Sequence, residues 1–90
     1  MRNQTGAARA VHTIADGQME ALEFRVDEGT RNCGIPLKNL KLKKNILIVC
    51  ITHGGKTQIP NGDSEFELGD TVIVVRGQEH MIYQLNDIFE

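Results

Sequence analysis

Asn45-Ile46-Leu47-Ile48-Val49-Cys50-Ile51-Thr52-His53-Gly54-Gly55-Lys56-Thr57-Gln58-Ile59 is the stretch on which the fold turns. Ile46 to Ile51 form an unbroken apolar run of strand length. A run that is apolar on both faces predicts a strand inside a sheet. Thr57-Gln58-Ile59 follows across a Gly-Gly turn, and two such runs so joined predict a hairpin.

Downstream, Pro60-Asn61-Gly62-Asp63 reads as a turn, and Phe66 and Leu68 are expected to plug the core. Gly69-Asp70 turns the chain into Thr71-Val72-Ile73-Val74-Val75-Arg76, a β-branched strand. Gly77 ends that strand, and a helix is predicted over 78–89. Met81, Ile82, Leu85, Ile88 and Phe89 fall there at helical spacing as one apolar stripe. Upstream, Ala10 to Ile14 predicts a strand and Ala15 to Leu22 a short helix with Asp16 near its start. Glu23 to Asp27 alternates polar and apolar residues, the period of a half-buried strand. Pro36 sits where a first helical turn tolerates it, so Leu37, Leu40 and Leu42 predict one apolar side of a second helix.

The expected architecture is therefore α+β: a small mixed, largely antiparallel sheet with helices packed on it. Residues 1–9 are expected to be a flexible segment and residues 10–90 one domain, with a linking strand and helix over 10–22.

With 90 residues the chain suits a single compact domain. One this small buries roughly 60–65% of the surface its unfolded form exposes, so pairing with a second copy would enlarge a modest core. It is 40% hydrophobic and 24% charged, an ordinary globular balance. A formal charge of −2 lacks the clustered basic excess of a phosphate-tracking nucleic-acid binder, and none is expected as partner. Cys33 and Cys50 make a poor disulfide framework; Cys50 reads as a small buried hydrophobe, and the cytosol is the simplest compartment.

No Cys-x-x-Cys or His-x-x-x-His spacing links His12, His53, His80, Cys33 and Cys50, so no metal site is expected. A Cys33–His53 nucleophile would need a third orienting group that the pattern does not supply, and no enzyme is expected. Lys38, Lys41, Lys43 and Lys44 cluster just before the apolar run. They read as a solvated face or, functionally, as an electropositive rim for a phosphorylated ligand.

Leu40 to Ile48, Gly55-Lys56, Ile59-Pro60-Asn61-Gly62-Asp63 and Phe66-Glu67-Leu68-Gly69-Asp70-Thr71-Val72-Ile73-Val74 together, in this order, resemble the TrkA C-terminal (TrkA-C) domain. Val11 to Phe24 resembles the segment that joins such domains to a preceding nucleotide-binding half. The resemblance implies a cytoplasmic regulatory domain that forms a homodimer and gates a membrane potassium transporter subunit, peripheral to the inner face of the membrane. It places an NAD or ATP site only in that other half, whose Gly-x-Gly-x-x-Gly turn this sequence does not contain. In some members the C-terminal domain binds cyclic di-AMP through an Asp, an Arg and an Asn at the dimer axis. Asn45 matches the amide, but Lys41-Leu42-Lys43 stands where an Asp-x-Arg pair would. The residues expected to border any bound nucleotide are Lys43, Lys44, Asn45 and Ile46. A structural dimerisation domain without ligand, and an amino-acid-sensing α/β domain, are the alternatives.

Overall fold

The computed structural model of the chain describes residues 8–90. They build one five-stranded sheet in which every neighbouring pair is antiparallel. The strands are β1 (Ala10–Ile14), β2 (Met19–Arg25), β3 (Ile46–His53), β4 (Lys56–Gln58) and β5 (Thr71–Arg76), in the order β1-β2-β5-β3-β4. The expected mixed sheet is thus corrected to an antiparallel one.

The Gly-Gly hairpin is present. Gly54 and Gly55 have φ of +57° and +81°, the pair of left-handed positions that a two-residue turn matched to strand twist requires. The turn brings His53 opposite Lys56 and Ile51 opposite Gln58. The predicted β3 run sits inside the sheet, between β5 and β4. Its register shifts between Ile48 and Cys50, so Val49 is a bulge. The bulge lets Ile46, Ile48 and Ile51 all turn to the core, although a strict period of two would place Ile51 on the opposite face.

The core lies on one face of the sheet. Leu22 and Phe24 of β2, Val72 and Val74 of β5 and the three isoleucines of β3 are buried. Val26, just after β2, joins them, and segments 59–70 and 77–90 cover them with Phe66, Ile82, Leu85, Ile88 and Phe89, while 27–42 packs partly buried Cys33, Leu37, Leu40 and Leu42 against the cluster. The rings of Phe66 and Phe89 stack with centroids 6.5 Å apart, and the Arg31 guanidinium lies 5.4 Å from the Phe89 centroid. Phe66 plugs the core as expected, but Leu68 is 61% exposed at the following turn. Cys50 pairs with Ile73 on the other face and is half-buried, not enclosed in the core.

The helices are the main correction. In place of a helix over 15–22, Ala15 and Asp16 adopt φ of +56° and +58°, Gly17 follows at +85°, and the chain reverses into β2. Residues 19–25 then pair with both β1 and β5. A helix that short is marginal by itself, and two ladders of hydrogen bonds outweigh its propensity. Segment 36–42 keeps a single 3₁₀ turn, Leu37–Asn39.

Segment 78–89 also forms only one 3₁₀ turn, Leu85–Ile88. Asp87 Oδ2 accepts from the N–H groups of Tyr83 and Gln84, at 2.8 and 3.1 Å. Farther on, Lys43 N–H donates to Ile88 O and Glu90 N–H to Lys41 O, each at 2.8 Å. Those backbone bonds, with the bridge between Leu42 and Phe89, require extended chain after the turn, and Gln84 before it is extended as well. The stripe still names core residues, since Ile82, Leu85, Ile88 and Phe89 are buried; Met81 is exposed.

The flexible segment expected over 1–9 falls mostly on residues 1–7, which lie outside the described residues. Arg9 N–H donates to Glu23 O at 2.6 Å, extending the β1–β2 ladder.

Candidate ligand-binding cleft and outer sheet face

The second face of the sheet stays half-buried or exposed. Cross-strand pairing lines up Leu47, Val75, Ala21 and His12 in one row, and Cys50, Ile73, Glu23 and Ala10 in the next. Ile14 and Met19 pair at the β1–β2 turn and are 44% and 40% exposed, while Leu47 is 61% exposed. The centre of this face is apolar, and the charged strand residues on it are Glu23 and Arg25.

An open cleft of about 700 Å³ lies at the Leu47 end of that face. Its apolar lining comes from Met19, Ile46, Leu47 and Val75. Three amides, Gln18, Asn45 and Gln78, and the Glu79 carboxylate complete it. Few polar groups converging on an apolar floor is the usual form of a small-molecule site.

Asn45, Glu79 and Gln78 are held by their neighbours. Asn45 has φ +63°, a left-handed conformation that asparagine tolerates better than most residues. Its Nδ2 donates to Glu79 Oε2 at 2.5 Å, and its carbonyl accepts from Gly77 N–H at 3.2 Å. Gln78 Nε2 reaches Gly17 O at 3.4 Å. Below them Arg76 fixes the loop: its Nη1 donates to the carbonyls of Gly77 and His80, at 2.8 and 2.6 Å.

The sequence-predicted site residues divide. Asn45 and Ile46 line the cleft. Lys43 and Lys44 do not; Lys43 is half-buried where its backbone meets Ile88, and Lys44 is exposed. Lys38 is drawn away into an exposed pair with Asp63, Nζ to Oδ1 2.9 Å. Gln18, Met19, Gln78 and Glu79 went unnoticed because the sequence placed them in helices. The one available signal was Ala15-Asp16-Gly17, a turn-forming group ahead of a period-two pattern.

The cysteines and histidines do not converge on one centre. The Cys33 thiol donates to Thr30 O at 3.6 Å, and burial, with Glu67, Asp70 and Asp27 nearby, raises its pKa. His53 bonds instead to Asp70. Among the described residues no three of His, Cys, Asp and Glu are grouped to hold a metal ion, and no helix is long and apolar enough to cross a membrane.

A five-stranded antiparallel sheet with one face packed and one open defines a small β-rich domain. Comparison with known proteins makes this specific: the family model of the TrkA-C domain matches residues 21–89, and the chain belongs to that family. The Trk system potassium uptake protein TrkA homolog of Archaeoglobus fulgidus is 34% identical over 84 residues, 93% of this chain. TrkA homolog 1 of Methanosarcina mazei is 36% identical over 62 residues, 69% of the chain. The TrkA protein of Azorhizobium caulinodans is 30% identical over 69 residues, 77% of the chain. The chain spans 19%, 14% and 15% of the lengths of these relatives.

Proposed function

We propose that this chain is the regulatory, non-catalytic domain of a Trk-type potassium-uptake protein. It acts in the cytoplasm, at the inner membrane face, through a potassium-transporter subunit. Its mechanism is differential binding: a ligand favours one geometry of a homodimer, and that shift biases the transporter. Membership of the TrkA-C family is the observation that carries this reading. Support for the homodimer comes from the outer face, where Ile14, Met19 and Leu47 lie exposed around half-buried Ile73 and Val75. A contiguous apolar patch on so small a domain marks an interaction surface.

The ligand is a purine nucleotide of the cyclic di-AMP type. The amides of Gln18, Asn45 and Gln78 offer both donors and acceptors to a base edge, and Met19, Leu47 and Val75 an apolar floor. Lys43 and Lys44 lie outside the cleft and the Glu79 carboxylate lines it, so its fit is to the base and not to the phosphates. NAD or ATP belongs to another part of the longer protein.

Light scattering of the purified chain at micromolar concentration tests the dimer: twice the monomer mass of 10.0 kDa is expected. Leu47→Glu, on an exposed side chain, should return a folded monomer. Calorimetry with cyclic di-AMP tests the ligand, and Asn45→Ala should weaken binding by about tenfold, the loss of one hydrogen bond. A dimer that takes up no nucleotide at high micromolar concentration favours a structural dimerisation domain. That second reading is supported by the Lys41-Leu42-Lys43 departure from Asp-x-Arg.

A further inference from the structure

Asp70 is the buried acidic residue of the core region, 3% exposed at the start of β5. Both of its carboxylate oxygens are engaged. Oδ2 accepts from Glu67 N–H at 2.8 Å, closing the turn that follows Phe66. Oδ1 meets His53 Nδ1 at 2.5 Å. The backbone around the carboxylate is equally tied: Asp70 N–H donates to Glu67 O at 3.0 Å, and Val26 N–H donates to Asp70 O at 2.8 Å. Asp70 is therefore a fixed post.

His53 is its exposed counterpart. It is the last residue of β3, immediately before Gly54-Gly55, and its side chain is 72% exposed. Beyond that turn lies β4, only three residues long and paired to β3 alone. Two side-chain ties hold this end of the hairpin: Thr52 Oγ1 to Thr57 Oγ1 at 2.7 Å, and His53 to Asp70. The His53–Asp70 tie also forms part of a cleft of about 350 Å³ on the side of the hairpin away from the amide-lined cleft.

We propose that His53 and Asp70 form a proton-responsive clasp: a protonated His53 fastens the β3–β4 hairpin to the Glu67–Asp70 turn, and its deprotonation loosens the hairpin and that cleft. The chemistry is that of a buried carboxylate beside an accessible imidazole. A carboxylate out of water needs a counter-charge, and the imidazolium supplies one through a charge-assisted hydrogen bond. Its second ring nitrogen remains free to exchange a proton with solvent. When the ring is neutral, one tautomer still donates from Nδ1, so the tie weakens without vanishing.

The surrounding charges act in the same direction overall. Glu67 in the turn favours a positive ring; Asp63, itself paired with Lys38, Glu65 of the preceding loop and Lys56 of β4 also line the cleft. From the 27–34 segment, Cys33 lies close enough to feel Asp70, Glu67 and Asp27. The pKa of His53 is raised above its ordinary 6.5, first by the hydrogen bond to Asp70 and then by the Asp70 charge, with partial desolvation pulling the other way. A raised folded-state value means that the stabilisation is complete below the ordinary imidazole value. It is lost as pH climbs through the higher, folded one. The clasp thus holds in acid and slackens as pH rises past the raised midpoint.

Ring resonances of His53 followed by NMR between pH 5.5 and 9, in the intact 90-residue chain, test this together with amide exchange at Lys56, Thr57 and Gln58. The expected midpoint lies above the ordinary imidazole value, and exchange corrected for its intrinsic pH dependence accelerates through the same midpoint. Each unit of elevation corresponds to about a tenfold preference of the fastened hairpin for the protonated ring, which bounds the acceleration. His53→Gln, on an exposed side chain, should abolish the pH dependence of hairpin exchange and leave the core amides protected. Asp70→Asn, if it folds, should return His53 to the ordinary midpoint. A His53 midpoint at the ordinary value overturns the proposal, as does hairpin exchange that ignores the titration or keeps its pH dependence in His53→Gln. None of these readouts involves nucleotide or dimer, so the clasp stands or falls apart from the regulatory reading.

Discussion

Arg76 on β5 grips Glu20 on β2 through two donors, Nε at 3.1 Å and Nη2 at 2.7 Å from the same Oε1. The two residues are 56 positions apart in the chain and directly opposite each other in the sheet. Their side chains are only 13% and 28% exposed, so the pair is shielded from solvent screening. The remaining guanidinium nitrogen holds the carbonyls of Gly77 and His80. One side chain therefore closes the sheet register and shapes the loop beside the amide-lined cleft.

Arg76→Ala is expected to cost about 2–4 kcal/mol, because Glu20 and two carbonyls lose their donor together. Chemical denaturation would show a lower midpoint with an unchanged slope. Exchange should accelerate first at amides 77–80. If the chain keeps wild-type stability, the pair is a surface decoration.

Phe66 is fully buried and stacked on Phe89. Removing its ring leaves a cavity between the covering segments and the sheet. Phe66→Ala is expected to destabilise by about 3–5 kcal/mol, while Leu68→Ala, two positions on and exposed, should change stability by less than about 0.5 kcal/mol. Thermal melts of the two variants side by side decide it.

Gly55, at φ +81°, has open space where a side chain would go. Any cost of substitution is therefore conformational and not steric contact. Gly55→Val is expected to lose about 1–2 kcal/mol, whereas Gly54→Asn, in a conformation asparagine tolerates, should lose less. Comparison of their denaturation midpoints separates the two effects.

Cys33 carries a thiol whose pKa is raised by burial and then by the carboxylates of Glu67, Asp70 and Asp27. A smaller thiolate fraction means slower alkylation. Peptide mapping after iodoacetamide treatment at pH 8 should show Cys33 reacting more slowly in the folded chain than in the urea-unfolded one. Equal rates would mean that its surroundings impose nothing.

Much of the candidate site was hidden in the sequence. Asn45 and Ile46 were legible because they open the apolar run, and a polar residue before such a run stands at a strand end. Gln18 and Met19 were not, since they reach Asn45 only through the pairing of β2 with β5 and of β5 with β3. Lys43 and Lys44 looked like part of the same cluster from proximity in the chain. The backbone bond from Lys43 to Ile88 shows that the chain is committed to the covering layer there.

What the sequence by itself determined was the hydrophobic inventory and its punctuation. Ile46 to Ile51, the Gly54-Gly55 turn, Thr71 to Arg76 and the buried set Ile82, Leu85, Ile88 and Phe89 were all readable, because burial follows side-chain chemistry and glycine pairs mark tight turns. Only the tertiary structure decided the conformation of 15–22 and 78–89. Both carry spacings a helix accepts, and a short helix gains too little from local bonds to hold against long-range pairing. β2 exchanged its local bonds for ladders with β1 and β5, and the C-terminal segment for backbone bonds to Lys41 and Lys43. The amide-lined cleft depends on that pairing and the His53–Asp70 contact on the pairing of β3 with β5, since each brings together residues the chain itself keeps apart.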